Sequence, residues 1–180
     1  IGVLAAGHQD EAVEKNKVNA VIVNPGVILG VSGQNAGSSQ LFYQMQKGLI
    51  FYTMGGTGYV DVQDVVRAMI TLTKSEISGE RFVLVGENAS NRDILWYMAD
   101  GFDRKRPFIN VPKSVLLFAG GMMEVFGKIF GFEPLIDRGT ARSATHREFY
   151  SSAKIEKAID FKFTQMTDTI SGVCTFMNKK

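Results

Sequence analysis

The sequence predicts an α/β fold built on parallel strands. Short apolar, β-branched runs at residues 20–23, 27–29 and 81–85 alternate with polar, helix-compatible stretches, the rhythm of strands that are covered by helices. The stretch "VNAVIVNPGVILG", residues 18–30, adds a second sign. Its apolar run is interrupted by Asn24-Pro25-Gly26 and then resumes. In a parallel sheet, ligands sit beyond the carboxyl ends of the strands. Pro25 fixes the chain direction there, Gly26 removes a side chain, and backbone groups near Val27 become free to meet a planar ligand. Asn-Pro is also ordinary turn chemistry.

Residues 9–16, "QDEAVEKN", read as helix-compatible and precede the strand at 20–23. "GSSQLFYQMQKG" reads as a helix opening at Ser38 or Ser39, both good caps, and closing at Gly48. Two strand-like runs, 49–53 and 59–62, flank a glycine turn. Asp64 is placed to cap a helix over 65–74. "GERFVLVG" holds the strand 81–85, and "ENASNRDILWYMADGF" a helix capped by Ser90 or Asn91 and ending near Gly101. Residues 107–112 are extended. A helix from Ser114, one around "SAKIEKAID" and a last amphipathic one in "MTDTISGVCTFM" complete the chain. There are no internal repeats.

Length and composition bound the function. The 180 residues make one domain, or one with an appendage, and suffice for a substantial core. At 45% hydrophobic and 21% charged, with 13 Phe, the chain is globular rather than disordered. Twenty basic residues against 18 acidic leave a formal charge of +2, no basis for nucleic-acid binding. Cys174 is the lone cysteine, so there is no intrachain disulfide and no cysteine metal cluster. A cytoplasmic location is expected. "SVLLFAGGMMEVFGKIFGF", residues 114–132, is the most apolar segment, but Glu124, Lys128 and four glycines argue against a membrane span. Its faces suit a packing helix, with a lid or membrane-surface helix as the alternative.

Other chemistry finds little support. His8 and His146 are the only histidines; His146 has Glu148 nearby, but no Gly-x-Ser-x-Gly elbow exists, and both read as surface residues. Asp61 and Asp64 suit an anchor and a cap better than an acid–base pair. No cluster has metal-ligand spacing. "DRKR", 103–106, reads as a solvated loop, and Trp96 as a core residue on the helix that carries Ile94, Leu95 and Met98.

Four segments in order carry a resemblance: "VNAVIVNPGVILG", "GSSQLF", "GGTGYVDVQDVVRAMITL" and "ISGERFVLVGENAS". Together they resemble the second half of the extended short-chain dehydrogenases/reductases, in the NAD-dependent epimerase/dehydratase group. The likeness leans to the dihydroflavonol-reductase-like and 3β-hydroxysteroid-dehydrogenase-like branches. "YVDVQDVVRAM" matches the family's aromatic-Val-x-Val-x-Asp-Val pattern, and "YSSAKIEKAIDFKFT" looks like its late segment, with Lys154 starting a helix and Phe161 following it.

The resemblance implies a partial Rossmann-type parallel sheet, its last strands, with a smaller, mostly helical substrate domain. Residues 1–89 would hold the remaining nucleotide-binding part with inserted substrate-domain segments, and 90–180 mainly the substrate section. It implies NAD or NADP as cofactor. Pro25, Gly26 and Val27 would lie beside the nicotinamide and its carboxamide, with Asn24 lining the same mouth. Ser38 and Ser39 would approach phosphate or ribose, where a helix N-terminus favours anions; capping alone explains them equally well.

The family also uses a Gly-rich loop and a Tyr-x-x-x-Lys pair. Counted back without gaps from Asn19, that Tyr falls before Ile1 and the Lys at Val3, and "IGVLAAGHQDE" fits the family poorly. No catalytic residue is therefore assigned, and the chain, as the C-terminal half of a larger protein, is expected to be inactive by itself. In the complete protein it would form part of an oxidoreductase or epimerase acting on a carbinol or carbonyl. The Phe- and Met-rich stretch 107–132 favours an apolar or aromatic small-molecule substrate, while Arg138, Arg142 and Arg147 keep a sugar nucleotide open. The rival is a catalytically silent binding or regulatory protein of the same fold; a membrane-surface module built on 114–132 is a third reading. Homo-oligomerisation is open.

Overall fold

The computed structural model describes residues 2–5, 20–31, 37–118, 121 and 144–179. The expected helix at 9–16, His8, most of the 114–132 helix, Arg138 and Arg142 lie outside the described residues; residues 113–118 are helical.

The architecture is α/β with parallel sheets, as the alternation predicts. Strands β1 (Gly2–Ala5), β2 (Ala20–Pro25) and β6 (Arg81–Leu84) form one parallel sheet in the order β1-β2-β6. Ala20, Val21, Ile22 and Val23 are all buried, which is why that run is continuous rather than alternating. The opening residues, which match no family pattern, supply β1, and Val3 sits there opposite Val21. β2 also continues past the expected break: Asn24 pairs with Val83 and Pro25 with Leu84. Proline is tolerated at this strand end because no further ladder bond is asked of it.

A second sheet, in the order β3-β5-β7, comprises β3 (Val27–Leu29), β5 (Gly56–Asp61) and β7 (Glu87–Ser90). β3 runs parallel to β5, and β7 antiparallel. Two readings need correction here. The glycines before Tyr59 are strand, not turn, so β5 starts at Gly56. Residues 87–90, expected only as the approach to the helix that Ser90 or Asn91 caps, are a strand because the open edge of β5 accepts them. A short ribbon pairs β4 (Phe51–Tyr52) with β8 (Ile109–Asn110).

The chain crosses between the two larger sheets at Gly26 and again at Val85–Gly86, and the crossings touch. Gly26 N–H donates to Leu84 O (3.0 Å) and Gly86 N–H to Tyr59 O (2.8 Å). A Cβ on Gly26 would intrude on the Gly58 carbonyl, and one on Gly58 would lie 2.5 Å from Val85 Cγ2. Ser152 locks the second crossing, its hydroxyl accepting from Val85 N–H (2.7 Å) and donating to Val85 O (2.8 Å).

Helices α1 (Ser39–Gln46), α2 (Val62–Lys74), α3 (Asn91–Gly101), α4 (Ala153–Ile159) and α5 (Met166–Asn178) cover these sheets. The two aspartates at α2 exchange their expected roles. Asp61 is the cap, accepting from Gln63 N–H at 2.6 Å. Asp64, 1% exposed, is the anchor: it accepts from Thr164 N–H (2.6 Å), Thr164 Oγ1 (3.0 Å) and Arg67 (2.7 Å). Ser90 caps α3 as expected, accepting from Asp93 N–H. Ser38 holds the cap position of α1 but makes no capping bond.

Two apolar clusters result. One gathers Val21, Val23, Val60, Leu72, Phe82 and Ile155; the other gathers Leu29, Phe42, Tyr59, Ile94, Met98 and Ile170. Trp96 belongs to neither, contrary to expectation. It is half-buried on the outer flank of α3, donates its indole N–H to Pro107 O (3.1 Å), and is stacked by Arg92 and Arg106 at 4.7 and 5.1 Å.

The crossing yields a paired prediction. Gly26→Ala must push two backbones apart and lowers stability by about 1–3 kcal/mol. Gly172→Ala, in α5 with nothing within 4 Å of the added Cβ, raises it by about 0.8–1 kcal/mol. Urea unfolding of both variants measures the contrast.

Candidate functional site

β2 and β6 both end at the crossing, and β3 leads away from it, at the strand ends where a parallel sheet binds ligands. Asn24, Pro25, Gly26 and Val27 stand there in sequence. Asn24 is half-buried, and its Oδ1 is fully enclosed with no hydrogen-bond partner among the described residues, an uncommon and costly condition for a side-chain carbonyl. Pro25 closes the β2–β6 ladder, and Gly26 makes the close approach. Val27, opposite Tyr59, is 38% exposed and turns into a cavity.

Ser38 and Ser39 lie along β3 instead, toward the end away from the crossing, and neither lines the cavity. Ser38 Oγ donates to Ile28 O (2.5 Å) and Ser39 Oγ to Gly30 O (3.0 Å), so both hydroxyls tie the start of α1 to the strand β3 and its end. Their protons are therefore committed to backbone. Ser39 is buried, while Ser38 stays partly open with lone pairs left to accept.

The cavity beside β3 measures about 560 Å³, within the range of small-molecule sites. Val27, Leu41, Leu49, Phe51, Ile94 and Leu95 form much of its wall. Its polar corner is a network that sequence reasoning missed. Tyr59 hydroxyl donates to Asn91 Oδ1 (2.7 Å); Asn91 Nδ2 donates to Thr53 Oγ1 (2.9 Å) and Ala144 O (3.0 Å). Burial pushes the Tyr59 hydroxyl up to about 12, so it stays protonated at neutral pH, with that proton held by Asn91. The corner can still accept at Tyr59 Oη, and the Thr53 hydroxyl proton is free to donate.

His146 and Glu148 also line the cavity; both are exposed, and Glu148 accepts from the Tyr150 hydroxyl (2.7 Å). Their segment runs along Gly56, which donates to His146 O (2.9 Å) and accepts from Glu148 N–H (3.0 Å). Arg147 Nε donates to Met54 O. The described residues hold no group of three potential metal ligands.

A Tyr-x-x-x-Lys spacing does occur, twice, away from the position where the family pattern places it: Tyr43/Lys47 and Tyr150/Lys154. Neither has the arrangement that proton transfer needs. Tyr43 packs against the apolar cluster while Lys47 ends α1 in solvent. Lys154 pairs with Glu80 (2.6 Å), just before the start of β6, at the opposite end of that strand from the crossing.

No family model and no curated protein matches this sequence. Solved structures do. The structure of gox2253 aligns over 94% of this chain and 52% of its own, at 21% identity and a TM-score of 0.73. A nucleoside-diphosphate-sugar epimerase from Pseudomonas aeruginosa aligns over the same shares, 94% and 52%, at 17% identity and 0.70. The UDP-glucuronic acid 4-epimerase from Bacillus cereus, solved with UDP-glucuronic acid and NAD, aligns over 96% and 49%, at 13% and 0.64. This chain shares the fold of these solved structures, two of which are sugar-nucleotide epimerases. The chain spans about half the length of these structures.

The Tyr59 environment predicts a pH effect. Below pH 10 the folded and unfolded chains both keep this proton. Between 10 and 12 the unfolded chain ionises first, so stability falls as pH rises, by about 2–3 kcal/mol. Urea unfolding at stepped alkaline pH should show a shallower fall for Tyr59→Phe than for the native chain.

Proposed function

We propose that this chain forms the nicotinamide-side strand ends and the substrate cavity of an NAD(P)-dependent oxidoreductase or epimerase acting on a carbinol or carbonyl. The observation that carries the reading is the apolar cavity opening beside the Asn24–Val27 crossing, with Val27 common to both. In this reading residues 1–89 carry the remaining nucleotide side with inserted substrate segments, and residues 90–180 mainly the substrate side.

The residues fit a nicotinamide cofactor. The unpartnered Asn24 Oδ1 suits an amide donor such as a carboxamide, and Gly26 with Val27 offers backbone beside it. Ser38 can only accept, which suits a ribose hydroxyl and not a phosphate; Ser39 serves the fold. The nicotinamide supplies or takes the hydride when bound. This chain's own part is to orient that ring, to exclude water with Val27, Leu41 and Leu95, and to hold a substrate hydroxyl or carbonyl between Thr53 and Tyr59.

The substrate is a small molecule with an apolar or aromatic body. The wall is mainly apolar, and the carboxylate of Glu148 stands where a diphosphate would be repelled. A second reading, a binding protein that holds the cofactor without turnover, is favoured by one observation: Lys154 and Tyr150 are each engaged elsewhere, on Glu80 and Glu148.

Titration of the chain with NADH and NADPH, followed by nicotinamide fluorescence, tests the cofactor assignment. The expected result is saturable binding of one of them, weakened roughly five- to tenfold by Asn24→Ala through loss of one hydrogen bond. Absence of binding, or an Asn24→Ala chain that binds as well as the native one, overturns it.

A further inference from the structure

The rim of the cavity is apolar on its outer side, where its large side chains are exposed among the described residues. Phe108 N–H and Ile109 N–H both donate to Ile50 O, at 3.1 and 3.0 Å, and Phe51 pairs with Ile109. Four large apolar residues, Phe51 and Ile109 in the ribbon and Ile50 and Phe108 just before its strands, are thus gathered here, all of them exposed, Phe108 to 68%. The helical residues 113–118 follow within three residues of the ribbon and expose Val115 and, to 71%, Phe118. Phe51 and Leu116 also line the cavity, so the ribbon and this helical segment flank its opening. Monomeric proteins rarely expose apolar side chains in such a group without a partner for them.

Charge selects the partner. Arg104, Lys105 and Arg106 immediately precede the ribbon, and Lys113 stands at the start of the helical segment; all four are exposed. Arg106 is held by both carboxylate oxygens of Asp100 (2.8 and 2.7 Å). Arg104, Lys105 and Lys113 make no ion pair among the described residues. A second copy on this face would bring the same cations against each other, which association disfavours. An anionic bilayer surface answers both features, taking phenyl rings at the acyl boundary and cations at the headgroup phosphates.

We infer that the ribbon 50–51/108–109 and the helical residues 113–118 dock this chain on an anionic lipid surface, with the cavity mouth facing the bilayer. Peripheral contact is meant: no helix among the described residues is long and apolar enough to cross a membrane. The docking rests on the surface alone. Only its use, delivery of an apolar substrate from lipid into the cavity, depends on the function proposed above.

The test is co-sedimentation with vesicles of phosphatidylcholine and phosphatidylglycerol, against vesicles of phosphatidylcholine alone, with neither cofactor nor substrate present. Failure of the nicotinamide assignment would leave this result untouched, and the reverse also holds. Binding to the anionic vesicles is expected, and weaker binding at high salt. Phe108→Ser with Phe118→Ser should reduce partitioning roughly tenfold or more. Lys105→Gln and Lys113→Gln should each reduce it about fivefold. All four side chains are exposed, and thermal unfolding of each variant verifies that its fold is kept. No partitioning, or partitioning equal on both vesicles and indifferent to these variants, overturns the inference. So does concentration-dependent self-association that the Phe pair abolishes without any vesicle binding, which would assign the face to a second copy.

Discussion

Where Gly26, Gly58 and Val85 stack, three chain segments come closer than side chains would permit. β2 ends there and β3 begins, β5 passes alongside, and the β6–β7 connection lies against both. The chain can therefore change sheets twice within one small volume, with Ser152 clamping the second change. Everything useful about the site follows from that approach. It ends the β2–β6 ladder abruptly, leaves the Asn24 carbonyl oxygen enclosed and unpartnered, and turns Val27 outward into a cavity. A Cβ at either glycine would push the sheets apart and separate the strand end from the cavity wall.

The cavity depends in turn on a non-local hydrogen-bond network. Asn91, the first residue of α3, uses both of its amide protons and its oxygen to join β5, the β4 end and residue 144. That commitment fixes the orientation of Tyr59 and holds its proton. A tyrosine facing an apolar site invites an acid–base role, but burial and a committed proton leave this one able to accept a hydrogen bond rather than to supply a proton. The Thr53 hydroxyl, which accepts from Asn91, keeps its own proton to donate.

Some of this is legible in the sequence. Continuous apolar runs reveal β2, covered on both faces, and β6, and helical spacing reveals α2, α3 and α5. Asn24-Pro25-Gly26 marks the strand end because few other reasons put Pro and Gly inside such a run. What is hidden is hidden for physical reasons. Gly56 and Gly58 look like a turn because glycine usually breaks a strand; here the Ala89 carbonyl beside Gly56 and the Val85 side chain beside Gly58 leave no room for a Cβ. "ENAS" has no apolar run, and it is a strand only because β5 offers a free edge. Asp61 and Asp64 exchange roles because local preference places a cap only to within a turn, while Thr164, a hundred residues away, decides which carboxylate is buried. The Tyr–Lys spacing occurs twice with its two side chains engaged apart from each other, since four-residue spacing says nothing of what each side chain meets. The Tyr59–Asn91 bond spans 32 residues, beyond any periodic signal.

The cavity beside the crossing is proposed to take a neutral, apolar-bodied ligand rather than a sugar nucleotide. Methyl-labelled Ile, Leu and Val side chains report it directly by nuclear magnetic resonance during titration with naphthol and, separately, with UDP-glucose. The account predicts that naphthol shifts the methyl signals of Val27, Leu41, Leu49, Ile94 and Leu95 together and that UDP-glucose leaves them in place. Saturable shifts of those same methyls by UDP-glucose, with naphthol inert, would contradict it.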